Sequence, residues 1–596
     1  MANWYPEETY KRRIAAFTAQ VHHWGRISWV LAGVKLTAAL ITVILLLTRR
    51  LDLAAVILIT ALLLAVFPLH QNILNRISWQ RRLIAINESE LGALEADRPI
   101  THNRVIEVDA DHRYAADLDL FCENGLFGFI SRALTISGIR TLSAWLTRAA
   151  DPGEIRSRQE AAAELAPLLD HRQTLIAHAL PTDREFAQGV ALDQWLRAST
   201  TEVRLPHPLV LLVLSMAVLG TGTALFFRPL FRIPFLLLFI VNLSLNLTYF
   251  RRVNETLKRA SRTHRILKQQ VGILTEMAEV SCSSPRLQRL QDRLQKDGIQ
   301  AAHAIRRLAV LLEWLDLRLS PMLHFPLNNL LFWDLQGIRL LQNWRQRHQE
   351  HTAVWLEAIG EWESLASIAA LHYNHPDWTW PCIAETETVF NAENLGHPLI
   401  PRRERVGSDI QIRGKGSIWI VTGPNMAGKS TFLRAVGINV VLALAGAPVC
   451  AGRCEISPLE IYTSMRISDS LDKKLSLFYA ELQRLKQVID AVGRGETVLF
   501  LIDEMLKGTN TADRQAGAMA LCRQLHKQGA MGIVATHDLT LSKLADDFPG
   551  GFFNHHFDGT VEDDQVYFDY RLREGVCHNF NALVLMRRIG IHLDED

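Results

Sequence analysis

Two pairs of apolar runs dominate the hydropathy pattern of the chain. Residues 30–47 (VLAGVKLTAALITVILLL) carry a single charge, Lys35, and after Arg49, Arg50 and Asp52 a second run covers residues 53–69. Each approaches the ~20 residues needed to cross a hydrocarbon core. Lys35 lies toward the start of its run, where a long side chain can snorkel to the headgroups. Residues 208–227, a turn holding Arg228 and Arg232, and residues 234–250 closed by Arg251 and Arg252 repeat the arrangement. Paired runs joined by short charged turns predict two transmembrane helical hairpins rather than isolated core helices. Lys11, Arg12, Arg13 and Arg26 precede the first hairpin, and Arg76, Arg81 and Arg82 follow it. That bias favours cytoplasmic flanks, and a hairpin returns the chain to its starting side, so all but the two turns is expected in one compartment.

Farther along, short β-prone runs alternate with helical periodicity. Residues 418–421 feed directly into GPNMAGKST, residues 423–431, and the following FLRAVGINVVLALAG has a helical period. Gly423, Gly428, Lys429 and Ser430 fit the pattern G-x-x-x-x-G-K-[ST]. Such glycines let backbone N–H groups close around phosphates; the Lys reaches the β- and γ-phosphates and the hydroxyl serves Mg²⁺. Pro424, Asn425, Met426, Ala427 and Thr431 complete the predicted nucleotide-binding loop. A second apolar run, residues 498–502, ends in Asp503 and Glu504. Asp503 is expected to hold the Mg²⁺ shell with Ser430, and Glu504 to orient or polarise the attacking water. A third run, residues 532–535, leads to Thr536 and His537. A His at the carboxyl end of a parallel strand can approach a γ-phosphate. The chemistry predicted is ATP binding and hydrolysis, with Glu504, Lys429 and His537 as the catalytic residues.

Composition adds limits. The 596 residues and 67.4 kDa suggest three or four domains, and a mean hydropathy of +0.06 agrees with membrane content. Lys plus Arg number 64 against 62 Asp plus Glu, so the net charge of +2 carries no overall nucleic-acid footprint. Seven scattered cysteines do not make a disulfide framework, and Cys450 and Cys454 lack a second pair at a zinc spacing. The opening MANWYPEETYKRR is not followed by an export-signal core at signal-peptide distance, so the N-terminus is expected to remain.

The nucleotide segment resembles the ATPase domain of the MutS family of mismatch-repair proteins. GPNMAGKST, with Asn425 inside the loop, is more specific than a generic phosphate loop. Further similar stretches follow in the family's order: ISPLEIYTSMRISDSL, LSLFYAEL, DEMLKGTNTADR, ATH ending at His537, and YRLREGVCHNFNALVLMRRIGI. GHPLIP, residues 396–401, is similar to the segment that enters the domain. Upstream, DLDLF (residues 117–121), then Thr135, Gly138, Arg140, Leu142, Trp145 and Leu146, then Ile155, Arg158 and Gln159, resemble the helical core supporting that ATPase. Residues 362–373 look like its last core helix. The resemblance implies a homodimer with composite ATP sites, in which Ser476 reaches the partner's nucleotide and Asp513 is the loop acid communicating across the dimer. It departs from the family at Lys474, where the signature loop has Gly, and the chain is expected to lack the helix-turn-helix tail. Phe121 and Glu123 match a mismatch-reading Phe-x-Glu wedge, but they lie inside the core-like DLDLF segment and are taken as chance.

The fold class expected is an α/β P-loop ATPase domain of ABC/MutS type following an all-α MutS-core-like domain with two transmembrane helical hairpins. The segments are 1–26, a cytoplasmic N-terminal piece; 27–70, hairpin 1; 71–207, a helical MutS-core-like region; 208–250, hairpin 2; 251–385, lever-like helices; and 386–596, the ATPase domain. Too few residues precede the core for mismatch-reading domains as well as a hairpin. The function expected is that of a MutS-like ATPase in the inner (cytoplasmic) membrane, multi-pass, with its ATPase domain in the cytoplasm. ATP would close a homodimer acting on mismatched or branched DNA. Basic patches at residues 251–265 and 339–347 support a DNA partner, although Arg after a membrane span is also ordinary flanking charge. The alternative is a membrane mechanochemical or signalling ATPase that binds no DNA and serves an unidentified protein partner. A transporter of ABC type is a minor reading, because Lys35 is the only intramembrane charge.

Overall fold

A computed structural model of the chain describes residues 6–48, 52–96, 111–180, 190, 205–260, 264–295, 298–424, 426–466, 477–507, 509–562 and 565–577. It divides into two compact units that interleave along the sequence. One contains residues 1–132, 142–169 and 365–596, the other residues 133–141 and 170–364. The linear segments drawn from the sequence are therefore shared between them.

In the first unit, the apolar runs become the middle of much longer helices, Pro6–Leu47 and Leu53–Ala96. Ser28 Oγ meets His70 Nε2 at 2.9 Å, and Lys11 pairs with Glu95 at 2.9 Å, so the two run antiparallel. Leu36, Leu40, Ile44, Leu58 and Leu64 face outward. The base of the hairpin is polar and buried. Tyr10 Oη donates to Asn374 Oδ1 at 2.8 Å, Asn374 Nδ2 donates to Glu90 Oε2 at 2.7 Å, and Arg132 donates two bonds to the Glu90 carboxylate at 3.0 and 2.8 Å.

The same unit holds a six-stranded sheet in the order Arg573–Glu574, Phe552–His556, Ile418–Thr422, Met531–Thr536, Val498–Asp503, Glu460–Ser464. Arg573–Glu574 is antiparallel to its neighbour and the other pairings are parallel. Every residue of Ile418–Thr422 and Met531–Thr536 is buried, as expected for strands covered on both faces. The largely buried helix Lys429–Ala445 follows the first of these, and Leu477–Gly493 packs on Glu460–Ser464 and Val498–Asp503. A second sheet, of four strands, has the order Cys382–Ile383, Arg453–Ile456, Val389–Leu395, Ser408–Arg413. Cys454, within strand Arg453–Ile456, and Cys450, just before it, are buried free thiols, raised by burial to about 12 and about 11.

The second unit is helical among the described residues. Pro208–Phe227 and Arg232–Ala260 form a hairpin whose short connection is the 3₁₀ turn Pro229–Phe231. Within residues 251–385, expected as lever-like helices, four shorter helices, His264–Glu279, Pro285–Leu294, Ala301–Leu315 and Pro321–Leu331, precede the 42-residue helix Trp333–Asn374. Pro285 and Pro321 each occupy the start of a helix, where a missing N–H is tolerated, and Gly298 adopts φ 71° in the connection before Ala301–Leu315.

Candidate nucleotide site

The strands Ile418–Thr422, Val498–Asp503 and Met531–Thr536 end at one edge of the sheet, in a register that pairs Thr422 with Thr536 and Asp503 with Ala535. Ligands of open α/β sheets bind beyond such carboxyl edges. The loop after Thr422 turns through Gly423 at φ 148°, Met426 at φ 70° and Gly428 at φ 101°, and Gly428 is the N-cap of Lys429–Ala445. A Cβ on Gly423 would stand 2.7 Å from the Phe557 carbonyl oxygen. The helix's first N–H groups thus have no intrahelical partners and open toward the loop.

Lys429 is buried, and its ammonium donates to the carbonyl oxygens of Gly423 and Pro424 at 2.6 and 2.8 Å. Burial lowers its pKa, an effect opposed by the charges of Asp503 and Glu504. Ser430 Oγ donates to Asp503 Oδ2 at 2.5 Å. Glu504 takes a left-handed backbone, φ 59°, which turns it out of the strand, and its Oε1 lies 3.1 Å from His537 Nδ1. Lys507 Nζ is 3.6 Å from the other carboxylate oxygen. Burial works to raise the Glu504 carboxyl, but the His537 hydrogen bond and the Lys507, His537 and Lys429 charges outweigh it and hold the pKa below the ordinary carboxylate value.

Beside them lies a cavity of about 950 Å³, which His537 itself does not line. Lys429, Ser430, Thr431, Asp503 and Glu504 form its polar wall, with Pro424, Met426 and Gly428 of the loop; Ile400, Val406 and Phe557 belong to its apolar lining. Ala427 is buried within the loop. Asn425 and Ser476, with Lys474, fall outside the described residues. Asp513 lies in the first turn of the helix Thr511–Lys527 rather than on a loop, because Asn510 caps that helix by accepting from the Asp513 N–H at 2.9 Å. The wedge-like Phe121 packs on Phe127 with ring centroids 5.7 Å apart, within the core-like segment.

Several contributors escaped sequence reasoning. The buried Glu481 accepts from the backbone N–H groups of Leu506 and Lys507 at 2.5 and 3.1 Å, and so braces the turn after Glu504. His397, inside GHPLIP, lines the cavity and is pushed down to about 4 by burial and by Arg434 and Arg405. Tyr570 lies over Gly428. Asp117 of the DLDLF segment is fully buried and accepts from Thr463 Oγ1 at 2.7 Å, from the N–H groups of Met465 and Arg466, and from Arg484 at 2.8 Å. It thereby anchors the end of strand Glu460–Ser464. All four lie inside strings already noticed as similar to a family, Glu481 in LSLFYAEL, His397 in GHPLIP, Tyr570 in YRLREG and Asp117 in DLDLF, but no role had been assigned to any of them.

Among the described residues no group of three or more His, Cys, Asp or Glu gathers to hold a metal ion. A hydroxyl beside a single carboxylate suits Mg²⁺ nonetheless, since that ion usually takes one or two carboxylates together with water and substrate phosphates.

Comparison with known proteins agrees on the region. Residues 419–591 match the model of MutS domain V. The DNA mismatch repair protein MutS 2 of Halobacterium salinarum is 32% identical over 240 residues, 40% of this chain and 27% of that protein. MutS 2 of Haloarcula marismortui is 36% identical over 202 residues, 33% of this chain and 21% of its own length. MutS of Chlorobium limicola is 31% identical over 250 residues, 41% and 28% of the respective chains. The chain thus spans about a quarter of the length of these curated relatives. The C-terminal part of this chain thus matches MutS domain V over residues 419–591 and resembles MutS proteins there.

Proposed function

We propose that the chain is a membrane-anchored ATPase that binds Mg²⁺·ATP at the carboxyl edge of its parallel sheet, hydrolyses it, and uses nucleotide binding to close a homodimer acting on mismatched or branched DNA. The observation that carries this reading is the apposition of Ser430 and Asp503 at the helix start of a glycine-rich loop, beside the Glu504–His537 pair. Backbone N–H groups around Gly423, Pro424, Asn425, Met426, Ala427 and Gly428, with the Lys429 ammonium, would bind the phosphate oxygens, and Thr431 would close the loop. Ser430 and Asp503 would hold Mg²⁺, which supplies neutralising charge at the β- and γ-phosphates. Glu504, kept ionised by its partners, would accept a proton from water, and His537 would orient that carboxylate and approach the γ-phosphate. Ser476 and Asp513 would act across the dimer, on the pattern of the family.

Membrane anchoring draws support from four helices among the described residues that are long and apolar enough to cross a bilayer, Pro6–Leu47, Val56–Glu95, Pro208–Phe227 and Pro229–Glu255. With the flanking Arg residues this favours a multi-pass inner-membrane protein whose ATPase domain faces the cytoplasm. A second reading, a mechanochemical ATPase that binds no DNA, is favoured by the Tyr10, Glu90, Arg132 and Asn374 network. It ties the base of hairpin 1 to the chain entering the β-rich region.

The test is ATP turnover by the detergent-purified full-length protein, alone and with homoduplex, mismatched and branched DNA across a salt series. Stimulation by distorted DNA that fades with salt supports the first reading, and indifference to every DNA supports the second. Glu504→Gln is expected to retain ATP binding and lose turnover by about 10²–10⁴-fold. Turnover at the wild-type rate would remove Glu504 as the base.

A further inference from the structure

We infer that residues 320–331 form a third membrane element, a re-entrant helix that dips into the bilayer beside hairpin 2 and is covered there by lipid hydrocarbon. The inference rests on the membrane reading above and adds an element that hydropathy did not reveal, since the 11-residue helix Pro321–Leu331 (PMLHFPLNNLL) is too short to span.

The helix is inside out for a protein in water. Met322, Leu323 and Phe325 are 89%, 51% and 56% exposed, whereas Asn329 is 3% exposed and His324 turns inward to Asp334, its Nε2 3.1 Å from Asp334 Oδ2. Water selects the opposite polarity, and hydrocarbon permits this one.

Its depth follows from its contacts. Asn242 Nδ2 donates to the Asn329 carbonyl oxygen and Asn246 Nδ2 to that of Asn328, both at 2.9 Å, and Phe325 packs on Phe239 with ring centroids 6.2 Å apart. Asn242 lies ten residues beyond Arg232, the first residue of its helix, hence about 15 Å along it at 1.5 Å per residue. That is half of a ~30 Å hydrocarbon core. Asn246 lies about 21 Å along the same axis and still short of Arg251 and Arg252. Residues 328 and 329 belong to the last turn of their helix, where the Asn328 carbonyl accepts from the Phe332 N–H at 3.0 Å and later carbonyls run past the intrahelical ladder. At that depth backbone carbonyls need protein partners; Asn242 supplies one for Asn329, and Asn246 adds a second bond at Asn328. The two intramembrane Asn are thereby explained as docking groups for a backbone segment.

The entry point is consistent. Arg318 donates to Asn254 Oδ1 at 3.0 Å, which sets the preceding turn at the level just beyond Arg251 and Arg252. Nearby Trp314 and Trp333 stack with centroids 6.1 Å apart, as aromatic residues do in the headgroup belt. The exposed Phe325 packs on Phe239, whose chain neighbours Leu236, Leu237 and Ile240 are themselves exposed on hairpin 2, and that adjacency argues for lipid rather than a protein as its cover.

The experiment places the photocrosslinker p-benzoylphenylalanine singly at Met322, at Leu237 within hairpin 2 and at the exposed Gln528, in the full-length protein reconstituted in phosphatidylethanolamine/phosphatidylglycerol vesicles. Lipid adducts are read by intact-protein mass. The inference requires adduct yield at Met322 comparable to Leu237 and about tenfold above Gln528, because only groups inside the hydrocarbon meet acyl chains. Adduct at Leu237 with a background yield at Met322 would overturn the re-entrant helix and leave the membrane reading standing. A crosslink from Met322 to a second protein chain in place of lipid would also overturn it. Background yield at Leu237 as well would overturn the membrane reading itself.

Discussion

Gly423 has no room for a side chain and a backbone angle that L-residues avoid. Gly423→Ala is expected to cost about 1–3 kcal/mol and to weaken ATP binding, because the loop must move away from the Phe557 carbonyl. Thermal unfolding and nucleotide titration check this; a variant unchanged in both would show that the loop accommodates a methyl group. His375 gives a pH-dependent counterpart. It clusters with Phe129 and Trp378, stacking on each, and burial, with the nearby Arg405, Arg132 and Arg402, pushes it down to about 3. A folded-state value below the unfolded 6.5 means that the neutral ring contributes stability above about pH 6.5, which drains away as pH falls toward 3. His375→Phe is expected to flatten the fall in melting temperature between pH 6.5 and 4, and an unchanged slope would contradict that burial. At this scale the legible residues were those contiguous in sequence: Gly423, Gly428, Lys429 and Ser430 in one string, and Asp503 with Glu504 in another. The roles of His397 and Tyr570, which line the cavity, and of Glu481, which braces the Leu506–Lys507 turn, were not legible, because each acts from an element distant in the chain.

Among the elements, the helix Leu53–Ala96 combines two roles. Its first half carries the outward apolar face of hairpin 1, and near its end the buried Glu90 holds Arg132 and Asn374. Glu90→Ala would leave the buried Arg132 guanidinium without its carboxylate, and the expected loss is about 3–5 kcal/mol, read as a lowered unfolding midpoint. A loss below about 1 kcal/mol, the size of an exposed pair, would mean that water reaches the site. Apolar runs correctly pointed to helices but underestimated their length, since the polar halves of Pro6–Leu47 and Leu53–Ala96 show no apolar run and are held by helix continuity and packing. The cap that puts Asp513 on a helix rather than a loop depends on one Asn510 hydrogen bond.

For the molecule as a whole, two hairpins with outward apolar faces predict that the protein stays with membranes after an alkaline carbonate wash. Release into the supernatant would contradict the spans, because helices exposing this much apolar surface gain by remaining in hydrocarbon. Periodic hydrophobicity and local motif spacing were enough to indicate the hairpins, the nucleotide loop and the acid pair that follows a strand, since each depends on neighbours along the chain. Interleaving of the two compact units, the bracing of the Glu504 turn by Glu481, the anchoring by Asp117 and the lipid-facing helix of residues 321–331 depended on the tertiary structure. These are non-local pairings, and burial, hydrogen-bond satisfaction and depth acquire values only when distant segments come together.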